Sequence, residues 1–133
     1  MKYETRSTKS ETNTKLEARN QKRFDLEDRA LLFARDVRSF VSKLPKTTAF
    51  IEDGKQVVRS SGSVGANYLE ANESLSKKDF AMRIKIAKKE ARETIWWLEV
   101  MVAPPEFIAA QQKLLNEATE IMKILGAILR STA

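Results

Sequence analysis

Apolar residues recur at steps of three and four along most of the chain, which is the period of an amphipathic helix. The first such run predicts a helix from about Asp25 to Lys43, with Asp25 as its N-cap and Pro45 ending it. The positions predicted to face the core are Leu26, Ala30, Phe33, Val37, Phe40 (or Val41) and Leu44.

A second, longer run predicts a helix from about Thr47 to Glu73. It is interrupted by Gly54, Gly62 and Gly65, and a glycine inside a helix costs about 1 kcal/mol relative to alanine. Such glycines indicate either a close approach of a neighbouring helix or a kink near Gly62. The large apolar positions of this run are predicted to share a face with Gly54, Ser61 and Gly65; they are Phe50, Ile51, Val57, Val58, Tyr68 and Leu69.

A third helix is predicted to begin after Ser76, where Ser-Lys-Lys-Asp resembles a capping box with Asp in place of Glu. Its predicted core positions are Phe80, Ile84, Ala87, Ala91, Leu98 and Val102. Pro104 and Pro105 then break the chain, and Pro105 suits the first turn of a fourth helix. The fourth helix is predicted to bury Phe107 (or Ile108), Gln111, Leu114, Ala118, Ile121, Leu125 and Ile128.

Short connections make successive helices antiparallel, so residues 25–133 are predicted to form an all-α, up-down-up-down four-helix bundle. Residues 1–24 are predicted to be a flexible basic tail, disordered or partly helical, because they contain few large apolar side chains. This tail has seven basic and three acidic residues, a net charge of +4 out of +6 for the whole chain.

The composition excludes several classes of chemistry. The chain contains neither Cys nor His, so it has no disulfide, thiolate or imidazole, and the spacing of Glu70 and Glu73 lacks the His partners of a di-iron site. We therefore expect no enzymatic activity, no cofactor, no metal site and no small-molecule substrate. The polar N-terminus and the lack of an 18-residue apolar run predict a cytoplasmic protein without a membrane span.

The third helix has a second set of apolar side chains, on the side away from its core positions. We predict that they form an oligomer interface with Trp96 and Trp97 as anchors. The alternative is that loops or the tail cover them, or that the helix is more deeply buried. The set comprises Met82, Ile86, Trp96, Trp97 and Val100.

The same helix also has a basic stripe that falls within roughly a 100° arc. Such stripes bind the phosphate backbones of nucleic acids, and a mobile basic tail would add affinity through counterion release. The alternative is a solvated face, since Glu90 and Glu93 lie close by. The stripe comprises Lys78, Lys85, Lys88, Lys89 and Arg92.

The second and third helices contain a recognisable pattern, Ser-x-x-x-Asn-x-x-Glu, a short break, then Asp-Phe and a helix with Ile-Ala and Glu. Roughly residues 25–130 resemble the four-helix-bundle family encoded by intervening sequences in 23S ribosomal RNA genes. That family is itself similar to the accessory variability determinant of diversity-generating retroelements. The matching positions are Ser63, Asn67, Glu70, Asp79, Phe80, Ile86, Ala87 and Glu93.

The resemblance implies an antiparallel bundle that assembles into a homopentamer. It also implies that Ser63, Asn67, Glu70, Asp79 and Phe80 are structural, with Asn67 and Glu70 making hydrogen bonds within or between subunits. The retroelement relative binds nucleic acid and partners a reverse transcriptase. The sequence thus predicts a non-enzymatic homo-oligomer that binds RNA or DNA. The retroelement similarity adds the hypothesis that it is an accessory to a reverse transcriptase. The alternative is a protein-interaction adaptor whose basic surface serves solubility or an acidic partner.

Overall fold

Four α-helices, packed each against two neighbours, make up the computed structural model, which describes the backbone of residues 11–132 and the side chains of residues 26–132. A short 3-10 turn at Pro105–Phe107 leads into the last helix. The predicted all-α four-helix architecture is confirmed. The helices are α1 (Glu11–Lys43), α2 (Thr48–Asn72), α3 (Lys77–Val100) and α4 (Ile108–Ser131).

Contacts between successive helices run in opposite chain directions, as an up-down-up-down bundle requires. Gly54 lies against Val41 whereas Gly65 lies against Ala30, so α1 and α2 are antiparallel. The same reversal holds for the pairs of α2 with α3, α3 with α4, and α4 with α1. Helices α1 and α3 occupy opposite corners of the bundle and do not pack on each other.

Helix α1 begins well before the predicted start at Asp25. It runs from Glu11, so the prediction of Asp25 as an N-cap is wrong. Residues 11–24 contain many good helix formers and neither Gly nor Pro, so helix propensity favours extending α1 in this direction. Of the two states that the sequence left open for the tail, residues 11–24 adopt the helical one. The first ten residues of the predicted tail lie outside the described part of the chain.

Side-chain caps fix the starts of α2 and α3, and the one at Ser76 was predicted from the sequence. The Thr47 hydroxyl oxygen accepts a hydrogen bond from the Phe50 backbone N–H at 3.2 Å, and the Ser76 hydroxyl oxygen accepts one from the Asp79 N–H at 3.1 Å. Each cap satisfies one of the donors that the first helical turn leaves without a partner. Helix α2 then continues unbroken through Gly54, Gly62 and Gly65.

On α2 the predicted apolar face is only partly buried, because Ile51 is 43% exposed and Leu69 is 51% exposed. The predicted core stripes of the other helices are buried or half-buried with one clear exception. Val102 was predicted to continue the α3 stripe, but its side chain is 88% exposed, because α3 ends at Val100 and the backbone turns extended at Met101. Met101 is buried in its place. Gln111 is half-buried, and its side-chain amide donates hydrogen bonds to the carbonyl oxygens of Leu98 at 2.7 Å and Met101 at 3.0 Å. These two bonds connect α4 to the end of α3.

Close approach of α1 explains the glycines of α2. A Cβ atom at Gly54 would lie 2.8 Å from Cγ1 of Val41, a short β-branched side chain that cannot move aside easily. At Gly62 the nearest atom would be the guanidinium of Arg38 at 3.2 Å, the mobile end of a long side chain. The close-approach interpretation is therefore correct at Gly54, while a methyl group at Gly62 fits once the Arg38 guanidinium shifts by a few tenths of an ångström.

We expect Gly54→Ala and Gly62→Ala to change stability in opposite directions. Overpacking costs about 1–3 kcal/mol and exceeds the gain in helix propensity of about 1 kcal/mol, so Gly54→Ala should lower the free energy of unfolding by about 1 kcal/mol. Gly62→Ala should raise it by about 0.5–1 kcal/mol. Urea unfolding followed by circular dichroism at one protein concentration measures both. Equal effects of the two substitutions would contradict the packing described here.

Candidate nucleic-acid interface

The five cations of the predicted stripe lie on the outer side of α3. Lys88 is half-buried and the other four side chains are exposed. Within the described part of the chain none of them forms an ion pair with a carboxylate. From Lys78 to Arg92 the stripe spans about 21 Å of helix. The surface is therefore a run of positive charge whose cationic groups are available to an external anion.

The two nearby acids are held by a different residue. Arg59 of α2 lies 2.9 Å from the Glu93 carboxylate and 3.5 Å from that of the mostly buried Glu90. Both acids thus face the α2–α3 seam, although their nearness in sequence had favoured the alternative of a solvated face. Sequence reasoning missed Arg59, because it lies 31 residues before Glu90 and 34 residues before Glu93 in the chain. Only the packing of α2 against α3 brings its side chain close to these acids.

The residues of the second apolar set of α3 differ in their exposure in the folded bundle. Met82 is 55% exposed, Trp96 is 60% exposed, and Val100 is also exposed. Ile86 is half-buried, and Trp97 packs partly against the core. The Trp97 side chain lies at the edge of the α3 core face, so Trp96 is the more exposed of the two predicted anchors, and the role of both in an interface stays a prediction.

The basic stripe and the exposed apolar residues share one side of α3. Lys78 and Trp96 are eighteen residues apart, about five whole turns, so they point in nearly the same direction. Cations dominate the first two-thirds of the helix, whereas Trp96 and Val100 lie in its last third. The sequence treated these as two surfaces. Apart from Met82, which lies among the cations, they form a basic segment followed by an apolar segment.

The residues of the recognised pattern lie around the α2–α3 hairpin. The Asn67 amide donates to the Ser63 carbonyl oxygen at 2.9 Å, and its Oδ1 accepts from Arg83 at 3.3 Å, which links α2 to α3. Phe80 is half-buried and packs against the core. Asp79 occupies the capped first turn of α3, and the Glu70 side chain is exposed.

No cluster of three or more metal-ligating side chains lies within residues 26–132. Among the helices described, none combines the length and the apolar character needed to cross a bilayer.

Comparison with known proteins places the chain in a family. Residues 22–127 match the family model described as 23S rRNA-intervening sequence protein. The chain belongs to this family. A crystal structure of a protein of unknown function from the S23 ribosomal protein family of Bacteroides thetaiotaomicron is 32% identical, with a TM-score of 0.70. The match covers 82% of this chain and 98% of that one. No match was found among curated protein sequences.

The matched region includes the helices whose sequence pattern resembled this family. The family match takes in α2 and α3 whole and stops within α4, and its start at residue 22 lies inside α1. Residues 1–21 of this member of the 23S rRNA-intervening sequence proteins fall outside the match.

Proposed function

We propose that this protein is a non-enzymatic, self-assembling four-helix bundle that binds the phosphate backbone of RNA or DNA through the basic segment of α3. The observation that carries the proposal is the set of unpaired cations on that helix, left free because Arg59 holds the neighbouring Glu90 and Glu93. Phosphate contacts of this kind recognise charge and spacing without reading base sequence.

The geometry suits a phosphate backbone. Duplex DNA carries one charge per about 1.7 Å, so the roughly 21 Å from Lys78 to Arg92 faces about twelve phosphate charges. Five phosphate contacts would give a slope near −4.5 in a plot of log affinity against log salt concentration. Binding through this surface is therefore steeply salt-dependent and tolerant of sequence.

Assembly would strengthen a contact that is weak in one subunit. The resemblance to the retroelement determinant supports a pentamer, and the exposed Trp96 and Val100 provide apolar surface for contacts between subunits. Each subunit of such a ring repeats the basic segment, so a long nucleic acid can engage several copies at once.

Native mass spectrometry of protein purified without nuclease tests both parts of the proposal. We expect a pentameric mass with attached nucleic acid, which is lost when the protein is washed at high salt. Titration with labelled oligonucleotides between 0.05 and 0.2 M salt should then lower the affinity by about 10²–10³, as a slope near −4.5 requires. A single-subunit mass, or binding that does not change with salt, would contradict the proposal.

A further inference from the structure

An open groove runs between α1 and α4, with a volume of about 610 Å³. Its apolar lining includes Phe33, Phe40, Phe107 and Leu114, and the rings of Phe40 and Phe107 meet edge to face with centroids 6.2 Å apart. Leu32, on the α1 side, is 60% exposed. The groove therefore offers an aromatic-lined site that residues 26–132 leave unfilled.

One pair of charges on the groove is already matched. Arg29 and Glu117 join α1 to α4 with two hydrogen bonds of 2.9 and 2.8 Å. Hydrogen bonding to Glu117 raises the pKa of the Arg29 guanidinium above its ordinary value. This pair holds the two helices together and is not available to a partner.

Two other charges on α1 are unmatched. Asp36 and Lys43 both line the groove and are exposed, and neither has an ion-pair partner among the described residues. They are seven residues apart, a spacing of about 10.5 Å along one side of the helix. The α1 rim thus presents a negative and then a positive charge, in chain order.

The last third of α3 presents the opposite order at the same spacing. Arg92 and Glu99 are also seven residues apart, exposed and unpaired within residues 26–132. Trp96 projects between them, four residues after Arg92 and three before Glu99. With the two helices parallel, Arg92 would face Asp36 and Glu99 would face Lys43. Trp96 would then lie at the level of Phe40.

We propose that the α1–α4 groove of one copy receives Trp96 of a second copy, with these two charge pairs fixing the register. The donor must be another molecule, because α3 and α1 occupy opposite corners of the bundle and do not pack on each other. An aromatic anchor seated in a preformed pocket is the usual centre of a stable interface. The joint occupies Arg92, which then no longer contacts nucleic acid.

Such a contact is heterologous, since each copy gives Trp96 on one side and accepts it on another. Heterologous contacts close into rings or extend as chains, whereas a contact of two identical faces stops at a dimer. This inference rests on the self-assembly in the proposed function and specifies the joint that produces it.

Complementation between two blocked variants tests the joint. Trp96→Ala removes the inserted side chain, and Ala110→Arg fills the groove from an exposed position on α4. Each variant alone should give a single-subunit mass in native mass spectrometry. Their mixture should give a two-chain complex and nothing larger, because only one of the two possible joints is intact. Ala109→Arg, next to the groove lining and also exposed, is the matched control and should assemble as wild type.

Charge exchange tests the register. Asp36→Arg should reduce the assembled fraction at least several-fold, and adding Arg92→Asp to the same chain should restore it. Normal assembly of Ala110→Arg, or no two-chain complex in the mixture, would overturn the joint while leaving the proposed assembly intact. A wild-type protein that is a single subunit would overturn both. Circular dichroism melting curves confirm that each variant is folded, as expected for changes at exposed positions.

Discussion

Replacing Lys85 and Lys89 with Glu should lower the affinity for nucleic acid about 100-fold at 0.1 M salt. At that salt concentration each phosphate contact contributes close to a factor of ten through counterion release, and two contacts are lost. The new carboxylates also repel the phosphates. Both lysines are exposed and unpaired, so the substitution removes no ion pair within the described chain. Fluorescence anisotropy with a labelled oligonucleotide measures the change.

The matched control reverses the same number of charges elsewhere. Lys55 on α2 and Lys123 on α4 are exposed and form only short-range pairs with Glu52 and Glu120. Replacing both with Glu changes the net charge by the same amount, so a general electrostatic effect would weaken binding equally. We expect the control to retain affinity within a few-fold and the Lys85 and Lys89 variant to show a salt slope smaller by about 2. Equal losses of affinity in the two variants would show that the basic segment of α3 is not the binding surface.

Leu98→Ala should lower the free energy of unfolding by about 2–5 kcal/mol, whereas Val102→Ala should change it by less than about 0.5 kcal/mol. Leu98 is completely buried, so its truncation leaves a cavity in the core. Val102 was predicted to lie on the same stripe but is 88% exposed. Urea unfolding at a fixed protein concentration is the measurement, because self-assembly would add a concentration-dependent term. A loss above 1 kcal/mol for Val102→Ala would mean that this residue is buried in an assembly.

The helices and most core positions could be predicted because they depend on local chemistry. The Thr47 and Ser76 caps, the proline breaks and the periodic apolar residues act within a few positions of one another. Val102 was misassigned because a helical period was extended past Val100, where the approach to Pro104 draws the backbone out of the helix. The early start of α1 was missed because a polar segment without an apolar stripe can still be helical when its residues favour a helix.

The candidate site was predictable only where a single helix contains it. The positions of the α3 cations around the helix follow from 3.6 residues per turn, so the sequence placed them correctly on one side. The ion pairs of Arg59 with Glu90 and Glu93 depend on how α2 packs against α3. The α1–α4 groove depends on the separation of the first and last helices. Neither arrangement has a signal in residue spacing, because both are set by packing between helices.

The pairing of the first helix with the last also sets an order of events at the ribosome. Helix α1 is made first, but it cannot pack on α4 until Ile108–Ser131 has been synthesised. At roughly 5–20 residues per second, adding those 24 residues takes about 1–5 s. Until α4 has been made, Phe33 and Phe40 lack the helix that completes the groove around them. The nascent chain is therefore prone to mispairing with another chain during that interval.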